Sequence, residues 1–404
     1  MTQSTPQVGR SLIVLLAALV AFAPLSIDMY LPSLPALARE LVATDAQIQH
    51  SISVFLVGLC IGMLFYGPLS DRFGRRPLLL GGIALYVVAS VGCSWAASAD
   101  QLLIWRGLQA LGGAAASVLA RAIVRDLFPL QQAARVLSLM HLVTMLATLV
   151  APLLGSYLME VAGWRSIFIG LLGFATLCGL AVWLRVPETH QGEARGHSLG
   201  SAFAAYLSIL GNPRAVGLML CMELSFAGMF AYITGSPFVF IEHFRFSPQQ
   251  YALLFGANIA GVIVATFLNA RLVGRLGPEA MLRRGSQVSA LAGLALLLAA
   301  CLPASGWPAI ALALLLFVSV TGMLGANAIA SLMALFPQRA GAAAALAVAG
   351  QFGLGALASF LVGVLHDGSP MPMSLVVALC GVGAFVSLRL AVRTGASPAG
   401  IADR

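Results

Sequence analysis

Twelve stretches of about twenty apolar residues, each bounded by charges or by Pro and Gly turns, leave this chain few ways to fold. A bilayer core of about 30 Å needs roughly 20 apolar residues per helix. In the first half the stretches run approximately 11 to 31, 50 to 69, 78 to 97, 101 to 123, 136 to 158 and 165 to 185. In the second half they run 214 to 236, 250 to 272, 284 to 302, 308 to 332, 342 to 365 and 372 to 392. They predict an all-α membrane protein with twelve transmembrane helices. Arg10, the apolar run after it and Ala21-Phe22-Ala23 have the parts of a signal peptide, but the run continues to Leu31 and eleven more spans follow, so it is read as a span. With 60% hydrophobic and 9% charged residues over 404, the chain has too little polar surface for a soluble globule.

A net charge of +8 raises the question of nucleic acid, and the distribution of the basic residues answers it. All 22 are Arg, most of them in short clusters between apolar runs, a pattern closer to a topology signal than to a phosphate-binding face. The absence of Lys excludes a P-loop and a Schiff-base site. Cys60, Cys93, Cys178, Cys221, Cys301 and Cys380 lie in apolar runs without C-x-x-C spacing and read as free thiols; they imply neither disulfide nor metal, and the six His show no metal spacing.

Counting Arg on alternate connections sets the orientation. One side collects Arg10, Arg72, Arg75, Arg76, Arg125, Arg135, Arg271, Arg275, Arg283, Arg284, Arg339 and Arg393. The other has Arg39, Arg165 and Arg245 among Glu40, Asp45, Asp100, Glu160, Glu242 and Asp367. The Arg-rich side is expected to be cytoplasmic, with both termini there.

One long polar stretch, Glu188 to Ser198, separates the sixth and seventh spans, and residues 199 to 210 after it are expected to form an interfacial helix. Across this linker Arg72-Phe73-Gly74 recurs as Arg275-Leu276-Gly277 and Gly82 as Gly285, both at an offset of 203. Tyr30 and Pro35 recur as Tyr232 and Pro237 at 202. The offsets predict duplicated six-helix halves: 1–186 as an N-terminal bundle, 187–212 as a cytoplasmic linker and 213–404 as a C-terminal bundle.

Several residues stand out against this apolar background. The fourth span carries Arg106, Gln109, Gly113, Ser117 and Arg121 on one helical stripe, which must face protein or water. Arg106 lies about five residues inside the membrane, roughly 8 Å at 1.5 Å per residue. Asp28 sits midway between Pro24 and Pro32, where the first helix should bend, roughly 25 Å from the cytoplasmic face and level with Arg106. A motion that changes the distance between a buried carboxylate and an Arg changes the carboxylate's proton affinity. Glu223, about nine residues into the seventh span, is the one acidic residue deep in the second half, as apt for a proton or cation site as for a hydrogen-bonded structural acid. Tyr30, Phe55, Gln109, Gly113, Phe226, Phe230 and Tyr232 are candidates for a substrate cavity at the midplane, since aromatic walls suit amphiphilic molecules.

The string Gly67-Pro68-Leu69-Ser70-Asp71-Arg72-Phe73-Gly74-Arg75-Arg76 resembles the signature loop of the major facilitator superfamily, and Arg106 to Gly113 resembles that family's fourth-helix motif. Asp28-Met29-Tyr30-Leu31-Pro32, Gly235-Ser236-Pro237-Phe238-Val239 and Ala122-Ile123-Val124-Arg125-Asp126 narrow the resemblance to the bicyclomycin-resistance (Bcr/CflA) subfamily of drug:proton antiporters. It implies a twelve-helix fold of two halves and alternating access, with no enzymatic activity. It further implies a monomer in the bacterial inner membrane that needs no cofactor, draws on the proton gradient and exports small molecules. Gly67, Asp71, Arg72, Gly74, Arg75 and Arg76 would form a gating loop, Asp28 the proton-binding carboxylate and Arg106 its coupling partner. Other readings are an exporter of one metabolite, such as an amino acid or sugar, and a non-transporting receptor or scaffold on the same fold. The fifth-helix antiporter signature G-x-x-x-G-P-x-x-G-G is only half kept. Ala147, Ala151 and Gly155 preserve small residues for close packing, and Pro152 preserves the bend.

Overall fold

The computed structural model describes residues 10–189, 199–302 and 305–395, which form helices and turns with no strand among them. The first span is broken: α1 (Arg10–Leu19), α2 (Phe22–Asp28), a 3-10 turn at Leu31–Ser33 and α3 (Leu34–Glu40). It bends by 44° between its first two pieces. Pro24 accounts for the break, because it has no N–H to give Val20 and its ring crowds that carbonyl. Next come α4 (Asp45–Phe73), α5 (Arg75–Trp95), α6 (Ala99–Leu127), α7 (Leu130–Ala162) and α8 (Arg165–Arg185).

The short α9 (Leu199–Leu210) falls where an interfacial helix was expected; residues 190–198 of the linker lie outside the described residues. The second half is α10 (Pro213–Pro237), α11 (Pro248–Leu276), α12 (Pro278–Cys301), α13 (Gly306–Ser319), α14 (Thr321–Leu335), α15 (Ala340–Val364) and α16 (Met371–Gly395). A π-helical turn, Phe238–His243, extends α10. Eleven helical stretches are long and apolar enough to cross a membrane, and the bent first span supplies the twelfth.

Two differences from the sequence expectation have local causes. The second span starts at Asp45, earlier than the apolar run, because Thr44 and Gln47 form a capping box: the Gln47 N–H donates to Thr44 Oγ1 at 3.2 Å and the Thr44 N–H to Gln47 Oε1 at 2.9 Å. The tenth span divides into α13 and α14 without a proline. Ser319 and Thr321 instead turn their hydroxyls onto the carbonyls of Leu315 and Val318, at 2.6 and 2.8 Å.

The offset of 203 recurs in these details. Ser247 and Gln250 repeat the capping box before α11 at an offset of 203 from Thr44 and Gln47. Gly74 and Gly277, also 203 apart, both take a positive φ, 93° and 79°, to reverse the chain between consecutive spans. Within each half glycine permits close helix approach. A Cβ on Gly82 would stand 2.2 Å from that of Ala115, and one on Gly217 would stand 2.5 Å from that of Ala391.

The halves meet where α4 runs along α15 and α7 along α11. Among the described residues, the hydrogen bonds joining them lie toward the Arg-poor end. Arg39 pairs with Glu242 at 3.1 Å, Gln249 donates to Glu160 at 2.7 Å, and Ser53 donates to Ser359 at 2.9 Å. Gln49 donates to Nδ1 of His366 at 3.3 Å, while Nε2 of His366 lies 3.2 Å from Asp45. Among the described residues no such bond joins the halves at the Arg-rich end.

Candidate functional site

The broken first span places a carboxylate deep in the protein. Asp28 ends α2 with 4% exposure, and the Thr148 hydroxyl of α7 lies close enough to its carboxyl to interact with it. Tyr232 and Tyr251 of the second half lie within its electrostatic reach. Those tyrosines belong to a polar cluster in which Asn258 donates to the Tyr232 hydroxyl at 2.8 Å, and Ser236 shares a hydrogen bond with Tyr251 at 3.0 Å. Tyr232 also stacks on Phe255, with ring centroids 5.9 Å apart. Asp28 therefore stands between its own half and a hydroxyl-rich face of the other.

Contact with α7 holds Asp28 in place. A Cβ on Gly155 would lie 1.8 Å from the Met29 carbonyl oxygen, so only glycine admits the Asp28–Met29 segment this close to α7. Ala151 and Pro152 are buried on the same helix and Ala147 is half-buried. The small-residue spacing of the partial signature thus does its packing beside the carboxylate.

Arg106 is fully buried in the first half. Its guanidinium lies 4.1 Å from the Phe55 ring centroid, 4.8 Å from that of Tyr30 and 5.9 Å from that of Phe168. Nη1 donates to Gln109 Oε1 at 2.7 Å, and Gln109 in turn donates to Ser90 at 2.9 Å. Nε and Nη2 have no hydrogen-bond partner among the described residues. An Arg caged by aromatic faces gains cation–π attraction, but its buried charge lacks a carboxylate, an arrangement costly enough to mark a working site.

Asp28 and Arg106 form no ion pair among the described residues. The reason lies in the helix break. Asp28 meets Thr148 of α7, whereas Tyr30, two residues on, contacts Arg106 and shares a hydrogen bond with Ser51 at 2.9 Å. Tyr30 is thus the covalent and steric link between the carboxylate and the cation. Tyr30, Phe55 and Gln109 pack wholly inside the first half, and Gly113 sits against the Tyr86 ring, 3.5 Å from a Cβ placed on it. At the Arg-rich end of the same stripe Arg121 is exposed.

Glu223 of α10 is 5% exposed and its Oε1 lacks a hydrogen-bond partner among the described residues. It presses against Gly350 of α15, where a Cβ would approach that oxygen to 2.1 Å, and interacts electrostatically with Cys60 of α4 across the seam. Phe226 and Phe230 stand one and two turns along α10. With Phe352 they form a cluster whose centroids are 5.0 to 6.5 Å apart.

In the signature loop, Arg75 is the hub. It pairs with Asp71 at 2.6 Å and Asp126 at 3.1 Å and bonds Ser70, joining the ends of α4 and α6. The Glu188 carboxylate accepts from the Arg75 and Arg76 N–H groups at 3.0 and 3.2 Å, capping α5. Arg76 also donates to the Trp183 carbonyl at 2.7 Å, and the Arg72 guanidinium lies over Phe73. Gly67 is inside α4, and a Cβ on Gly74 would stand 2.6 Å from the Glu188 carboxylate. These bonds stay within the first half and the start of the linker.

Sequence reasoning missed Thr148, Ser236 and Tyr251 around Asp28, and Gln49 and His366 at the seam.

A family model described as Major Facilitator Superfamily matches residues 16–359. The chain is 34% identical over 371 residues to a bicyclomycin resistance protein homolog of Haemophilus influenzae, covering 92% of this chain and 93% of that one. It is 32% identical over 286 residues to the multidrug resistance protein MdtL of Klebsiella pneumoniae, covering 70% and 71% of the two chains. In fold it is similar to the xylose transporter XylE from E. coli in a partially occluded inward open conformation. The TM-score is 0.73 at 17% identity, covering 98% of this chain and 99% of that one.

Proposed function

We propose that this chain, which belongs to the major facilitator superfamily, is a proton-coupled exporter of drugs or other small amphiphilic molecules in the bacterial inner membrane. The observation that carries the reading is Asp28. It is a carboxylate buried at the meeting of the two halves, beside a hydroxyl and facing tyrosines across the seam. A buried carboxylate has no packing advantage over its neutral isostere, and a charge that changes during work gives its cost a use.

In this reading both termini are cytoplasmic, so the Arg-rich end, which lacks those bonds, opens inward and the bonded end is the closed outer gate. The protein alternates as a monomer between this state and its outward-open counterpart, the halves rocking about the midplane. A proton from outside binds Asp28 and favours release of substrate there. Its loss to the cytoplasm restores affinity for the next molecule. Tyr30 passes the change to Arg106, whose ring cage holds a cation near the carboxylate without neutralising it outright. The coupling cannot exceed the difference in proton affinity of Asp28 between the two states. Glu223 offers a second carboxylate at the seam, beside the Phe226, Phe230 and Phe352 rings that would face an amphiphile.

The test is reconstitution in liposomes with an internal pH dye and a panel of antibiotics and amino acids. Addition of a transported compound is expected to move protons in the wild-type protein, and Asp28→Asn is expected to abolish that flux. Flux that survives in Asp28→Asn refutes the assignment of the proton to this residue.

A further inference from the structure

A cavity of about 320 Å³ lies outside the transport path, between α10, α12 and α16 at the Arg-rich end. Arg214, Arg283 and Arg389 enter it from three different helices, with Glu279 and Ser286 beside them. Leu218, Leu282, Leu388 and Val392 form its apolar wall. Glu279 is taken up by Arg214, at 2.6 Å, so the surplus charge of the pocket is that of Arg283 and Arg389. Arg389 is not loose: its guanidinium rests over the Phe385 ring at 4.8 Å, which fixes where its donors point.

We propose that this pocket binds the headgroup of an anionic phospholipid from the cytoplasmic leaflet. The inference rests on the orientation given under Proposed function but on no part of the transport mechanism. A pocket at the Arg-rich end lined by surplus guanidinium together with leucine and valine matches a phosphate joined to hydrocarbon chains. Arg283 is not demanded by the duplicated architecture. At the offset of 203 that relates α12 to α5, its counterpart is Leu80, so the first half has no matching charge.

Full-length protein purified in mild detergent is titrated with phosphatidylglycerol, with zwitterionic phosphatidylethanolamine and with inorganic phosphate, and bound lipid is counted by native mass spectrometry. The expected result is preferential binding of phosphatidylglycerol. At about fivefold per basic residue, Arg283→Ala with Arg389→Ala lowers its affinity roughly thirtyfold. Phosphatidylethanolamine binding stays unchanged. Arg389→Gln alone lowers phosphatidylglycerol affinity about fivefold and serves if the double variant does not fold. Equal retention of phosphatidylglycerol by the wild type and either variant overturns the proposal, because the lipid is then merely annular. Displacement of the lipid by millimolar inorganic phosphate also overturns it, since the pocket is then an anion site without use for the acyl chains. Neither outcome depends on whether any compound is exported.

Discussion

Gly155→Ala adds one methyl group at the most tightly confined point beside Asp28. The new Cβ would fall 1.8 Å from the Met29 carbonyl oxygen. Real Cβ atoms keep at least 3.0 Å from such neighbours, so α7 and the Asp28–Met29 segment must separate by 3.0 minus 1.8, or 1.2 Å. The obstacle is backbone, which cannot turn aside as a side chain does. Overpacking of this kind costs about 1–3 kcal/mol. The same change at Gly173 on α8, where a Cβ meets nothing within 4 Å, should be neutral or gain up to about 1 kcal/mol of helix propensity. Purified wild type, Gly155→Ala and Gly173→Ala are compared by thermal melting in detergent and by proton flux in liposomes. Gly155→Ala is expected to melt lower and to lose flux, because Thr148 no longer meets Asp28, whereas Gly173→Ala matches the wild type. If the two variants behave alike, the first span does not press on α7 and the reasoning about how Asp28 is held fails.

Arg106→Lys keeps the charge but loses the planar fork that bonds Gln109 and faces three rings. A charged hydrogen bond is worth about 1.5–3 kcal/mol, so transport should fall roughly tenfold or more with the protein still folded, as liposome uptake assays would show. Ser53→Cys with Ser359→Cys replaces hydroxyls 2.9 Å apart across the seam. Oxidation is expected to lock the outer gate and stop transport, and a reductant to restore it; continued transport by the cross-linked protein would refute alternation at this seam. His366→Ala removes the bridge between Gln49 and Asp45 and is expected to raise labelling of a cysteine placed at Ser53, read with a membrane-impermeant thiol reagent.

The parts of this molecule legible in the sequence are those where one residue type has one physical use. The twelve apolar runs became spans because lipid permits little else, and Gly74 and Gly277 marked reversals because each needs a positive φ. Arg106 and Asp28 stood out because buried charge is costly, and both are buried. What the sequence could not supply was partnership. Nothing in the spacing of Asp28 says that it meets Thr148, 120 positions away, nor that Arg106 is answered by the faces of Tyr30, Phe55 and Phe168 in place of a carboxylate. The loop motif named Arg75, yet its outer partners Asp126 and Glu188 come from the ends of other spans. Breaks followed the same division: Pro24 announced one, while the one after Ser319 depends on hydroxyls turning back on their own helix.

The seam at the Arg-poor end has a consequence for the direction of traffic. Its bonds are hydroxyls, an amide, an imidazole and a solvent-exposed ion pair, each of which water can replace at little net loss. In the proposed cycle these bonds therefore add little to the cost of opening the gate. Such a carrier has no arrow of its own. Solute and proton concentrations on the two sides set which way it runs, and an outwardly directed proton gradient would turn the proposed exporter into an importer.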